Sequence, residues 1–190
     1  LLFDDETKQA VVIDPGDEGE SILARIEQSD CELKAVINTH GHFDHIGANA
    51  FLIDATGAEL MIHGDDVPVL ERAEMQAEIY GLSVAPSPAP TRILSEDEMI
   101  NIGSIRLKVL HTPGHSPGGI GLYGDGELFS GYALFAGSIG RTDLPGGSHE
   151  QLISGIRKKL LPLPAQTVVH PGHGPDTTIG REKMVNPFLS

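Results

Sequence analysis

The chain has 190 residues, 39% of them hydrophobic and 21% charged, with a formal net charge of −14 at pH 7. That size supports one sizeable core, and the acidity argues against nucleic acid or an anionic membrane surface as partner. The one cysteine, Cys31, excludes an internal disulfide and fits a reducing, cytoplasmic compartment, while no apolar run reaches the ~18 residues of a membrane span.

Leu1–Phe3 and Gln9–Ile13 are predicted to be short strands joined by a polar turn. Asp14-Pro15-Gly16 ends the second, and a helix follows in which Ile22, Leu23 and Ile26 share a face. Ala35–Asn38 is a β run ending in a histidine-rich loop, and 45–55 is helix-compatible. Glu59–His63 is a further strand, and Asp66–Tyr80 is rich in helix formers. Pro86, Pro88 and Pro90 make the next segment a loop. Ile105, Leu107 and Val109 alternate with Arg106 and Lys108 as in a half-buried strand. Gly119–Tyr123 and Glu127–Ser130 flank Gly124-Asp125-Gly126, a hairpin signal. Ser148 with Gln151 fits a capping box ahead of a helix that places Leu152, Ile156 and Leu160 on one face. Gln166–Val169 is a last strand before His170-Pro171-Gly172-His173. Mixed strands and helices in this order imply sheets covered by helices, in one domain over 1–190.

The chemistry concentrates in Thr39–His45, where His40, His42, Asp44 and His45 supply four potential metal ligands. An H-x-H-x-D-H run is expected by chance only about 0.001 times in a chain of this composition. His40 and His42 are two apart and point the same way in an extended segment. Asp44 and His45 are adjacent and point apart, so two neighbouring ions share the four better than one does. Imidazole and carboxylate donors suit zinc, with iron and manganese as alternatives. His115 and His173 each sit in a Pro/Gly loop after a predicted strand, where a rigid scaffold can aim a side chain.

Four runs carry a resemblance: THGHFDHIGA at 39–48, HTPGHSPGG at 111–119, LFAGSIGRTDLPGG at 134–147 and PGHGPDTTIGREKMVNPFL at 171–189. With them the chain resembles the metallo-β-lactamase superfamily, and within it the small single-domain members of the glyoxalase II (hydroxyacylglutathione hydrolase) group. The resemblance implies an α+β fold, a four-layer αβ/βα sandwich with metals at one edge. It implies that His40, His42 and His115 hold one ion, and that Asp44, His45 and His173 hold the other. It implies hydrolysis of a small thioester, with a metal-bound water losing its proton near neutral pH and attacking the carbonyl. The resemblance to the small members implies no helical glutathione-binding domain after Phe188, and an N-terminal edge strand is expected upstream of Leu1.

One departure bears on activity. Where the family has an aspartate bridging both metals, this chain reads Ser130-Gly131-Tyr132, so Asp44 and Tyr132 are the candidates at the reacting centre. A phenol with a reference pKa of about 10 is a poor bridge, which predicts a weakened second site and impaired turnover. Packing or blocking suits Tyr132 better than ligation. Two other readings follow from the same residues: a mononuclear iron enzyme like the persulfide dioxygenases, and a non-catalytic binding member of the fold. His111 and His170 fit supporting roles, and His63 and His149 fit a solvated surface. Asp14 fits equally a plain turn and the orientation of a ligand histidine. Arg141 and Asp143 are expected to pair and stiffen their loop, and Cys31 lies outside the motifs.

Overall fold

A computed structural model describes residues 1–189, in two compact units: 1–94 with 100–106, and 95–99 with residues from 107 onward. In the first unit, strands β1 (Leu2–Asp4), β2 (Gln9–Ile13), β3 (Glu32–Ile37), β4 (Glu59–His63) and β5 (Arg92–Leu94) form a sheet in that order. β1 is antiparallel to β2, and the pairs from β2 to β5 are parallel. Parallel neighbours need crossovers. Helices α1 (Gly19–Gln28), α2 (Asn49–Thr56) and the pair α3 (Val67–Leu70) and α4 (Ala73–Ile79) supply them. Ala10, Val12, Leu33, Val36 and Leu60 pack on Ile26 and Leu52 of α1 and α2. Val11, Ala35, Ile37 and Met61, which alternate with these, are buried as well. Burial on both faces is why β2 and β3 read as continuous apolar runs rather than alternations.

The second unit holds most of a six-stranded sheet. β6 (Met99–Ile102) and β7 (Ile105–His111) carry the chain from one unit to the other. β8 (Ile120–Gly124), β9 (Glu127–Gly131), β12 (Val168–Pro171) and β13 (Thr177–Thr178) complete the order β13-β12-β9-β8-β7-β6. A small hairpin of β10 (Leu134–Phe135) and β11 (Ser138–Ile139) lies between β9 and helix α5 (His149–Gly155) in sequence. Leu128 and Val169 of the sheet pack with Leu152 of α5, with Ile156 and Leu160 of the π-helical turn after it, and with Ile179 of α6 (Ile179–Val185).

Three expectations are revised. β3 starts at Glu32, three residues before the apolar run, because β2 supplies pairing partners from Gln9 onward. The helix-rich stretch 66–80 is broken into α3 and α4, with Pro68 in the first turn of α3. His63 is not solvated: its side chain is only 12% exposed and its Nδ1 accepts the Asp65 amide, capping the 3-10 turn that follows β4.

Candidate metal centre

Each unit carries its own cluster at the C-terminal ends of its strands, the edge where open sheets present side chains from loops. In the first unit, Asp14 follows the last residue of β2 and the parallel neighbour β3 runs on into Asn38-Thr39-His40, with the Asp14 amide donating to the Ile37 carbonyl at 3.0 Å. Asp14 adopts a left-handed backbone, φ 48°, which aspartate tolerates better than most residues. There its carboxylate receives three donors. Oδ1 accepts the Thr39 amide at 2.7 Å, and Oδ2 accepts the Thr39 hydroxyl at 2.6 Å and His45 Nδ1 at 3.1 Å.

That network sets two tautomers. His45 donates from Nδ1, so its lone pair is on Nε2. The one hydroxyl proton of Thr39 goes to Asp14, so Thr39 Oγ1 accepts from His40 Nδ1 at 3.1 Å, and the lone pair of His40 is also on Nε2. The rings of His40 and His45 lie 4.2 Å apart and those of His40 and His42 4.9 Å apart, the latter edge to face. Asp14, His40 and His45 offer ligand atoms within 4.8 Å of one another. His45 Nε2 stands 3.6 Å from Asp44 Oδ2. Burial pushes the His45 imidazole down, but the hydrogen bond to Asp14 and the charges of Asp14 and Asp44 outweigh it, and the net direction is up. An electron-rich donor set of this kind fits a divalent cation.

Gly41 separates the first two histidines. A Cβ there would meet the Leu70 amide nitrogen at 2.5 Å, so only glycine lets the loop close against α3. The Gly41 amide donates to Oδ2 of the fully buried Asp66 at 2.8 Å. Neither Thr39 nor Asp66 is a candidate site residue by sequence. Thr39 is legible as a neighbour of His40, but nothing near Asp66 announces a contact 25 residues back.

In the second unit, β7, β9 and β12 run parallel to one another, the first two through β8. The loops that follow them carry His115, Tyr132 and His173. His115 is buried and donates from Nδ1 to the Arg141 carbonyl at 2.8 Å, so its lone pair too is on Nε2. Arg141 binds Asp143 through two hydrogen bonds of 2.7 and 2.8 Å, the expected pairing, which stiffens the loop that supplies this carbonyl. The Arg141 guanidinium pulls the Asp143 carboxyl down to about 2. The Tyr132 ring stacks on His115, with centroids 4.0 Å apart and planes 14° from parallel. It meets the Phe135 and His173 rings edge-on at 4.9 and 5.5 Å. His173 and Asp44 are exposed.

The other histidines take supporting positions. His111 donates from Nε2 to the Pro117 carbonyl at 3.0 Å. His170 lies between Glu127 Oε2 at 2.5 Å and Asp176 Oδ1 at 3.0 Å. His149 is exposed in the first turn of α5.

The chain as a whole is similar to known proteins. A hydroxyacylglutathione hydrolase, GloC, of Haemophilus influenzae is 43% identical over all of this chain and 91% of that protein. The crystal structure of BLEG-1, a B3 metallo-β-lactamase, superposes with a TM-score of 0.92 at 39% identity, covering 100% of this chain and 92% of the other. That of TTHA1623 in a di-iron-bound form superposes with a TM-score of 0.87 at 44% identity, covering 93% and 88%. The metallo-beta-lactamase superfamily profile matches residues 1–173, through both histidine clusters to His173. An α+β chain with this metal-ligand pattern, this similarity and this match belongs to the metallo-β-lactamase superfamily of metal-binding hydrolases.

Proposed function

We propose that the chain is a metal-dependent hydrolase of glutathione-type thioesters. The observation that carries this reading is the preset tautomer of His40, His45 and His115, each donating from Nδ1 to an oxygen and keeping its Nε2 lone pair. Groups held this way present Nε2 to a cation without first rotating. The full-length similarity to a hydroxyacylglutathione hydrolase supports the substrate class. By the family pattern His40, His42 and His115 hold one ion, and Asp44, His45 and His173 the other. Zinc suits the donors, and iron is supported by the di-iron form of TTHA1623.

A divalent ion bound there supplies Lewis acidity that acidifies water and polarises a carbonyl. The protein's part is orientation. Asp14 fixes His45 directly and His40 through Thr39, while the Arg141 carbonyl fixes His115. A thiol leaving group has a pKa of about 8.5 and departs with little help from a general acid. A thioester therefore suits a centre built chiefly of metal ligands.

The test is hydrolysis of acyl-glutathione thioesters by zinc- and iron-loaded protein, beside the variant Tyr132→Asp. Turnover by the wild type is expected, and rises in Y132D. Turnover by Y132D alone would identify this chain as a disabled member of the fold. Intact thioester with both proteins overturns the assignment.

A further inference from the structure

We propose that Tyr132 is a positioning residue for His115 rather than a metal ligand, and that the chain therefore binds its two ions unequally, tightly through His115 and weakly through His173. The inference rests on the metal-centre reading above.

A ligand lone pair on imidazole lies in the plane of the ring. Tyr132 occupies the face of His115, in a plane only 14° from parallel, at a centroid separation of 4.0 Å. Stacking of this kind leaves the in-plane Nε2 direction open and removes ring rotation. Together with the 2.8 Å hydrogen bond from Nδ1 to the Arg141 carbonyl, it fixes the imidazole in two independent ways. Phe135 meets the Tyr132 ring edge-on, at 81° and 4.9 Å, and packs against the stack.

The same residue weakens the second ion. By the family pattern a carboxylate stands in this slot, and Tyr132 offers a ring in its place. His173 is exposed and meets Tyr132 only edge-on, at 5.5 Å. His115 is buried and held both by its hydrogen bond and by the stack, whereas His173 is exposed, so the ion held through His173 is the one lost first.

The experiment compares wild type with Tyr132→Phe, Tyr132→Leu and Tyr132→Asp. Metal content is read by elemental mass spectrometry after dialysis against buffered zinc, the visible spectrum is taken after loading with ferric iron, and the His115 Nδ1–H is followed by NMR of imidazole-labelled protein. Wild type is expected to retain one ion per chain, with the second at least about 10-fold weaker. Y132F, which keeps the ring, should match it, while Y132D should retain two. Y132L should lose about 10-fold in affinity for the tight ion, with faster exchange of the His115 Nδ1 proton. Two equally tight ions in the wild type would overturn the inference. So would a phenolate-to-iron absorption band absent from Y132F, or a Y132L protein indistinguishable from wild type. Each of these leaves the hydrolase reading standing. Failure of every variant to bind metal would remove both.

Discussion

Asp14 sets the protonation pattern of two histidines with one carboxylate. Its two oxygens receive three donors, from the Thr39 amide, the Thr39 hydroxyl and His45 Nδ1. In Asp14→Asn one of those oxygens becomes an NH2 group that cannot accept. The variant either leaves the Thr39 amide unpaired or turns the amide toward His45 and reverses its tautomer. Hydrogen-bond partners of ligand histidines are worth 10–100-fold in metal affinity when removed, by roughly this mechanism. D14N should therefore bind zinc about 10–100-fold more weakly while keeping its far-UV circular dichroism, as measured by competition with a chromophoric chelator. Of this site the ligand run from His40 to His45 is legible in the sequence, because chance so seldom assembles it. The role of Asp14 is not. A strand-terminal aspartate reads equally as a turn residue, and only the parallel pairing of β2 with β3 brings it beside Thr39.

At the scale of elements, local signals succeed where they act within a few residues. The Gln9–Ile13 and Glu59–His63 strands match prediction to the residue, and Ser148 caps α5 through the Gln151 amide as its spacing implies. The hairpin at Asp125-Gly126 has positive φ at both positions, 51° and 80°, as its composition demands. The strands that escape notice, β5, β6, β10, β11 and β13, are two to four residues long. Segments so short are set by their partners rather than by their own periodicity. Helix α6 is another such element. Its Glu182 is fully buried and accepts from the Gly137 amide at 2.9 Å, the Thr177 hydroxyl at 2.6 Å and Asn186 Nδ2 at 2.8 Å. These bonds tie α6 to β13 and to the β10–β11 turn, a pattern no local window contains. Glu182→Ala strands three donors in the interior at once. It should lower unfolding stability by about 3 kcal/mol, read from urea denaturation. Glu182→Gln keeps one acceptor and should cost less.

At the scale of the whole molecule, no helix among the described residues is long and apolar enough to cross a membrane. Ties between distant parts of the sequence matter more for its stability, and the longest of those described here is made by Asp4. The residue closes the β1–β2 turn by accepting the Glu6 and Thr7 amides on Oδ1. Its Oδ2 accepts the Thr7 hydroxyl and, from 100 residues later, the Ser104 amide at 2.6 Å. Gly103 makes that approach possible: its φ is +56°, and a Cβ there would lie 2.1 Å from Asp4 Oδ2. The Thr7 hydroxyl first, then the Ser104 amide, hold the Asp4 carboxyl well below the usual carboxylate range. Burial pushes the other way and loses. A folded-state value depressed in this way adds stability that is fully present above the unfolded value of about 3.9 and is lost as pH falls through the folded one. Asp4→Asn should therefore melt a few degrees below wild type at pH 7. That gap should hold down to about pH 4 and then narrow as the pH is lowered further. Thermal melts of the two proteins across that range test it, and a gap independent of pH would mean that the ionised carboxylate is not what secures residues 100–106 to β1.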